Sequence, residues 1–201
     1  MYLSKIMVSG AACRNPYEIH RALWKLFSED AAASRDFLFR VEQADRTCAA
    51  ILVQSVREPE LSSSASRILA CREYPLSLQA GQRLRFMLVA NPIKMINDEG
   101  GRQNAEGGLK KCRVPLVREE HQRAWIERKF QEAASLENLT IDPVFPLRFN
   151  KSKEDRAGKI QPVSFQGVLT VKDPESLLGL VKTGIGPAKA FGCGLLSLAR
   201  L

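Results

Sequence analysis

Hydrophobic residues recur along this chain in two rhythms, every second position in some stretches and every third or fourth in others. The opening YLSKIMV predicts a short strand. RNPYEIHRALWKLF then repeats Ile19, Leu23, Leu26 and Phe27 at helical spacing, with Asn15 as cap, Pro16 as first helical residue and Glu18 placed to reach back to the cap. Two strands are predicted next. RDFLFRVE alternates Phe37, Phe39 and Val41 with Leu38, Arg40 and Glu42, while CAAILVQS is a continuous apolar run suited to the middle of a sheet. A segment containing Pro59 and SSSAS reads as a weak helix, and RLRFMLVANP as another strand. The order strand, helix, strand, strand, weak helix, strand is the split βαβ pattern of a ferredoxin-like domain.

The pattern then breaks and restarts. NDEGGRQNAEGGLK, residues 97–110, has no regular apolar period and reads as a mobile loop. Beyond it CRVPLV predicts a brief strand, REEHQRAWIERKFQEAA a helix, and PVFPLRF and KIQPVSFQGVLTV further strands. DPESLLGLVKTG is a helix capped by Asp173 and opened by Pro174, and GLLSL the last strand. The fold class expected is α+β, two ferredoxin-like (RRM-like) βαββαβ domains in tandem. Residues 1–92 form the first and 111–201 the second, with 93–110 as linker or loop. No residue-level repeat relates the two halves.

Charge narrows the partner class. The chain carries 30 Lys and Arg against 22 Asp and Glu, a net charge of +8 that favours a polyanion over a neutral partner. No apolar run approaches the ~20 residues of a membrane helix, and MYLSKIMVSG lacks the long apolar core of a signal peptide, so a cytoplasmic protein with no membrane partner is expected. The five cysteines, Cys13, Cys48, Cys71, Cys112 and Cys193, are odd in number and form no CxxC pair. With only His20 and His121 beside them they offer no zinc spacing. The acidic residues lack the tight pairing of a two-metal nuclease, so no metal and no cofactor are expected.

Three groups of residues carry candidate chemistry. His20 lies within two turns of a helix N-terminus, where the dipole disfavours its protonated form and suits it to act as a base at neutral pH. Tyr17 and Trp24, three before and four after, share its helical face, with Arg21 and Lys25 flanking. The plain alternative is a half-exposed histidine packed on Trp24. On the later helix, at about 100° per residue, Arg118, His121, Trp125, Arg128 and Lys129 fall in one sector, with Ile126, Phe130 and Ala133 beside it and Glu120 and Glu127 opposite. That sector reads as a phosphate-facing surface or as an ordinary surface helix with Trp125 in the core. Lys110, Lys111 and Arg113 precede it, and a second cationic stretch spans residues 148–159, ending at Lys159. Finally, GIGPAKAFGCGLLSL places Gly184, Gly186, Gly192 and Gly194 around Lys189. It fits neither a P-loop, since Lys189 is followed by Ala190, nor a dinucleotide fingerprint. Read alone, it is a helix C-cap followed by a bend into the last strand.

The glycine pattern also resembles the C-terminal signature of the CRISPR RAMP proteins. Six segments in order, NPYEIHRALWKLF, RDFLFRVE, ANPIK, KKCRVPL, GKIQPVSFQGVLTV and GIGPAKAFGCGLLSL, are similar to the CasE family across nearly the whole chain. The resemblance implies tandem ferredoxin-like domains and a metal-independent endoribonuclease that cuts CRISPR precursor transcripts at the repeat hairpin and stays bound in the Cascade complex. It implies that His20 is catalytic with Tyr17 near the site, that Lys94 and Arg113 belong to RNA-associated motifs, and that the loop from Gly184 to Gly194 packs against the bound strand. The chemistry would be attack of a ribose 2′-hydroxyl on the adjacent phosphate, leaving a 2′,3′-cyclic phosphate, with the base or acid role of His20 open. The partners expected are the repeat RNA hairpin and other Cascade subunits. Residues 29–35, 43–47, 97–108 and 150–157 carry no family motif, and nothing transfers onto them. The rival readings are a non-catalytic RNA-hairpin-binding module, for which the aromatic RNP signature is missing, and a structural subunit of a ribonucleoprotein complex.

Overall fold

The structure, a computed structural model, describes residues 1–28, 35–60, 65–97, 111–151 and 156–201. Strand β1 (Tyr2–Ser9) buries Ser4, Ile6 and Val8, and a 3-10 turn at Gly10–Arg14 leads into helix α1 (Pro16–Trp24). The Asn15 side chain accepts the Tyr17 N–H at 3.0 Å, as the sequence predicts. Glu18 does not complete the capping box: its carboxylate is taken by the Arg21 guanidinium at 3.2 Å. Strands β2 (Phe37–Ala44), β3 (Cys48–Ser55) and β4 (Ser66–Glu73) finish an antiparallel sheet of order β2-β3-β1-β4. Its core packs Ile6, Val8, Ile51 and Val53 against Ile19 and Leu23 of α1.

Strand β5 (Arg83–Ala90) is followed by a hairpin of β6 (Ile93–Asn97) and β7 (Lys111–Pro115) and by helix α2 (Glu119–Phe130). Then come β8 (Ala134–Pro143), a hairpin of β9 (Leu147–Lys151) and β10 (Arg156–Ile160), and β11 (Val163–Val171). Helix α3 (Pro174–Thr183), whose Asp173 cap accepts the Ser176 N–H at 3.0 Å, leads through the glycine-rich loop to β12 (Leu196–Arg200). The second sheet has the order β12-β5-β11-β8, and Trp125, Ile126 and Phe130 of α2 join Leu177 and Val181 of α3 over Phe86, Leu88 and Phe165. Each sheet thus places its first strand, β1 or β5, between its third and fourth, which is the ferredoxin-like order, twice in tandem.

Several expected pairings are different. The weak helix expected before RLRFMLVANP is absent among the described residues, and the fourth strand of the first sheet is β4. β5, expected to close the first sheet, is central to the second, so the change of sheet falls between Glu73 and Arg83 rather than at residues 93–110. CRVPLV pairs with residues 93–97 in a hairpin instead of opening the second sheet. Of the loop expected at 97–110, Asn97 ends β6 and the rest lies outside the described residues. Pro162 divides KIQPVSFQGVLTV into β10 and β11, because a proline cannot donate to a continuous ladder.

The first half of β2, from Phe37 to Arg40, is buried on both faces and joins the halves. Phe37 and Phe39 enter the first core, while Leu38 and Arg40 face the second half. There Arg40, 4% exposed, donates from Nη1 to Ser197 Oγ at 2.8 Å and from Nε to Glu42 Oε1 at 2.8 Å. Beside it the buried Gln54 Nε2 donates to the Val181 carbonyl at 2.7 Å. These contacts bring α1 against the glycine-rich loop. No helix among the described residues is long and apolar enough to cross a membrane.

Candidate active site and nucleic-acid interface

His20 projects from α1 into an aromatic cluster, its ring centroid 5.7 Å from Trp24, 5.8 Å from Phe37 and 6.4 Å from Phe39. Its Nε2 is buried and has no hydrogen-bond partner among the described residues. Burial and, secondarily, the Arg35 guanidinium push the imidazole down to about 4 from its ordinary 6.5. The ring is therefore neutral at pH 7, as the sequence reading expects, but through desolvation and a nearby cation. Tyr17 stands half-buried one turn earlier on α1.

The glycine-rich loop is shaped by the protein's own packing. Gly184, at φ 74° and ψ 161°, occupies backbone that only glycine adopts readily, and a Cβ there would lie 2.9 Å from the Leu38 methyls and 3.0 Å from the Gly194 carbonyl. A Cβ on Gly186 would meet the Trp125 ring at 3.0 Å, and one on Gly192 the Phe39 ring at 3.2 Å. The loop thus rests on the phenylalanine that borders His20. The 3-10 turn at Lys189–Phe191 packs against α1 and β2, and Lys189 Nζ donates to the Thr183 carbonyl at 2.6 Å, closing the end of α3.

Beside this loop opens a cleft of about 1100 Å³, lined by Arg35, Arg113, Lys159 and Lys189 together with Phe149 and Phe191. Asn91 also lines it, with Oδ1 buried and unpartnered among the described residues. Burial first, then Arg35 and Lys129, hold the Lys189 ammonium below its ordinary range. Like charges gathered in one concavity make it a site for an anion, since a phosphate would relieve their repulsion. Among the described residues no three of His, Cys, Asp and Glu converge in a metal-binding group.

The chain as a whole has counterparts among known proteins. Residues 1–200 match the family model described as CRISPR associated protein. The chain is 44% identical over 202 residues to the CRISPR system Cascade subunit CasE of Escherichia coli K12, covering 100% of both. The chain belongs to the CasE family. The CRISPR-associated endoribonuclease Cse3 of Thermus thermophilus is 34% identical over 222 residues, covering 99% of this chain and 100% of the relative. Among solved structures, Cas6e from E. coli K-12 matches with a TM-score of 0.85 at 42% identity, and Cse3 bound to 19 nt RNA with 0.78 at 32%, both across 100% of each chain.

Within this CasE-family fold the sequence-predicted cations do not all converge. Arg113, Lys159 and Lys189 line the cleft, as does Gly186. On the β6–β7 hairpin the register pairs Met95 with Arg113 and Asn97 with Lys111, which puts Lys111 on the Arg113 face, whereas Lys94 pairs with Val114 on the opposite face. Lys110 lies outside the described residues. The expected basic sector of α2 is split at its centre, because Trp125 is 3% exposed and stacks near Phe165, their centroids 6.0 Å apart. Arg118, Arg128 and Lys129 are exposed around it, Lys129 Nζ lying 5.9 Å from the Trp125 ring centroid.

Sequence reasoning missed Arg35 and the Phe149–Phe191 ring pair, whose centroids are 4.2 Å apart. Phe149 also lies over Gly158, where a Cβ would run into its ring. Gly158→Ala is therefore expected to destabilise the protein by about 1–3 kcal/mol through overpacking, read from urea unfolding, with amide protection lost first in β9 and β10. Unchanged protection there would show that the ring pair does not anchor the hairpin.

Proposed function

We propose that this chain is a metal-independent endoribonuclease that binds a CRISPR repeat hairpin along its cationic cleft and cuts it beside His20. It then remains on the mature guide RNA as a subunit of Cascade. The observation that carries this reading is a neutral imidazole with a buried Nε2, bordered by the Phe39 ring on which the glycine-rich loop rests, with a cleft lined by Arg35, Arg113, Lys159 and Lys189 on the flank of the same loop. The relatives support it: one is named a Cascade subunit and another an endoribonuclease whose kin has been solved on RNA.

The chemistry follows from those parts. The ribose 2′-oxygen attacks the adjacent phosphorus in line, His20 takes its proton, and the bond from phosphorus to the 5′-oxygen breaks. That oxygen leaves as an alkoxide and takes a proton from water, and a 2′,3′-cyclic phosphate remains. Tyr17 orients the ring or the 2′-hydroxyl. Cations of the cleft stabilise the extra charge of the transition state, while Lys94, Lys111, Arg113, Arg118, Arg128, Lys129 and Lys159 hold the hairpin by its phosphates, with steep salt dependence. The glycines Gly184, Gly186, Gly192 and Gly194 let the loop pack down on Leu38, Trp125, Phe39 and the Ile185 backbone, which leaves its outer side for the strand, and Lys189 supplies a phosphate contact.

The test is an incubation of purified protein with transcribed repeat RNA in EDTA. A single cut with a cyclic-phosphate terminus is expected, together with no cut when the nucleotide before the scissile phosphate is 2′-deoxy. Cleavage that needs magnesium, or that ignores the 2′-deoxy substitution, overturns the mechanism. Binding without any cleavage points to the non-catalytic RNA-binding reading.

A further inference from the structure

The cleft's cations are not equivalent, and one differs in where it stands. Arg35 lies two residues before Phe37, whose ring is 5.8 Å from His20, and it lines the same cleft as Lys189. After burial, which is the larger cause in both, its charge lowers His20 and, together with Lys129, Lys189. Its neighbour Asp36 does not neutralise it, because that carboxylate is taken by Arg57 at 2.6 Å. Arg21, Arg40, Arg83 and Arg123 each pair with a glutamate, whereas no carboxylate pairs with Arg35 among the described residues. An exposed guanidinium with no carboxylate partner among the described residues, in the same cleft as an ammonium, is a cation waiting for an anion.

We propose that Arg35 is a catalytic residue of the cleavage reaction, the guanidinium that grips the non-bridging oxygens of the scissile phosphate while His20 takes the 2′ proton. This rests on the nuclease reading above and names the residue that stabilises its transition state. A guanidinium presents two parallel N–H groups to two phosphate oxygens, which a lysine cannot do. Charge on those oxygens grows as the 2′-oxygen attacks, so the contact strengthens in the transition state rather than only in the bound substrate. Lys189, fixed by Thr183, closes the other side of the same anion.

Among the described residues the groups facing His20 are few. α1 contributes the Trp24 ring and the Tyr17 phenol one turn away, and β2 contributes the Phe37 and Phe39 rings. Glu18 on α1 is engaged by Arg21. Among these described groups Arg35 is the charge that acts on the ring, so its removal changes how His20 titrates.

The experiment compares wild type, Arg35→Ala and Arg35→Lys on repeat RNA in single-turnover cleavage at saturating protein, from pH 4 to 8. Affinity is measured in parallel on the 2′-deoxy RNA. Arg35→Ala is expected to cut about 10²–10³-fold more slowly while its Kd changes by no more than about threefold. Its acidic inflection moves upward yet stays below the ordinary imidazole value, because burial remains the larger cause. Arg35→Lys, which keeps the charge but loses the fork, is expected to lose about tenfold in rate with the inflection unmoved. Should the alanine variant melt early, the lysine variant carries the test. Cleavage by Arg35→Ala at the wild-type rate overturns the proposal and leaves the nuclease reading standing. A weakened Kd with an unchanged saturated rate also overturns it, making Arg35 an RNA-gripping residue only. No cleavage by wild type overturns both.

Discussion

Replacing His20 with alanine is expected to slow repeat cleavage by about 10²–10⁴-fold at saturating protein while hairpin affinity stays within a few-fold of wild type. The loss falls on the rate because the ring sits among Trp24, Phe37 and Phe39 and does not line the cationic cleft proposed to hold the RNA. The direction of its pH dependence distinguishes base from acid. With the free chain's imidazole near 4, a base is ready above that value, so kcat/KM should be flat through neutrality and fall as pH drops through about 4. An acid would show the reverse, with activity falling as pH rises past the same point. Bound phosphate opposes the Arg35 charge and favours the imidazolium, so the inflection in kcat should lie above that in kcat/KM. Alanine should abolish the acidic inflection along with the rate. An alanine variant that cuts as fast as wild type removes His20 from the chemistry, and a profile that rises only below neutrality assigns it to the leaving group instead.

What the sequence shows of this fold depends on how local each cause is. The starts of α1 and α3 are legible because a cap and a proline act within four residues, and both caps form: Asn15 with Tyr17, Asp173 with Ser176. β4 is not, because SRILACRE is an edge strand whose Arg67, Leu69, Ala70, Arg72 and Glu73 are exposed, so its apolar alternation is erased. Once it is missed, β5 appears to complete the first sheet, although its partners β11 and β12 lie far along the chain. The site divides in the same way. His20, Tyr17 and Trp24 share a helical face that spacing alone shows. Arg35 is invisible to spacing, since only the packing of β2 beside α1 brings it near the imidazole. The glycines announce that something approaches closely, and the structure identifies it as Leu38, Trp125 and Phe39 of the same chain.

That packing makes Gly184 the position where a single methyl group is expected to do most harm to stability. Two costs combine in Gly184→Ala. At φ 74° and ψ 161° an alanine is held in backbone that L residues avoid, a strain of about 1–3 kcal/mol. Its Cβ would also press on both Leu38 methyls at 2.9 Å and on the Gly194 carbonyl at 3.0 Å, and forcing that contact costs about another 1–3 kcal/mol. Leu38 is buried and Gly194 donates to the Val89 carbonyl at 2.7 Å, so neither can retreat freely. The expected loss is about 2–6 kcal/mol in urea unfolding, a large share of an ordinary domain's stability. Gly179, in the middle of α3 with open space around its would-be Cβ, is the control: its alanine should stabilise by about 0.5–1 kcal/mol. A double-mutant cycle separates the two costs, because in a Leu38→Ala background the steric part disappears while the backbone strain remains. Gly184→Ala should therefore cost less there than in wild type but still more than nothing. A substitution that costs the same in both backgrounds would remove Leu38 from the account, and one that is neutral in wild type would show that the junction between the two sheets does not depend on this turn.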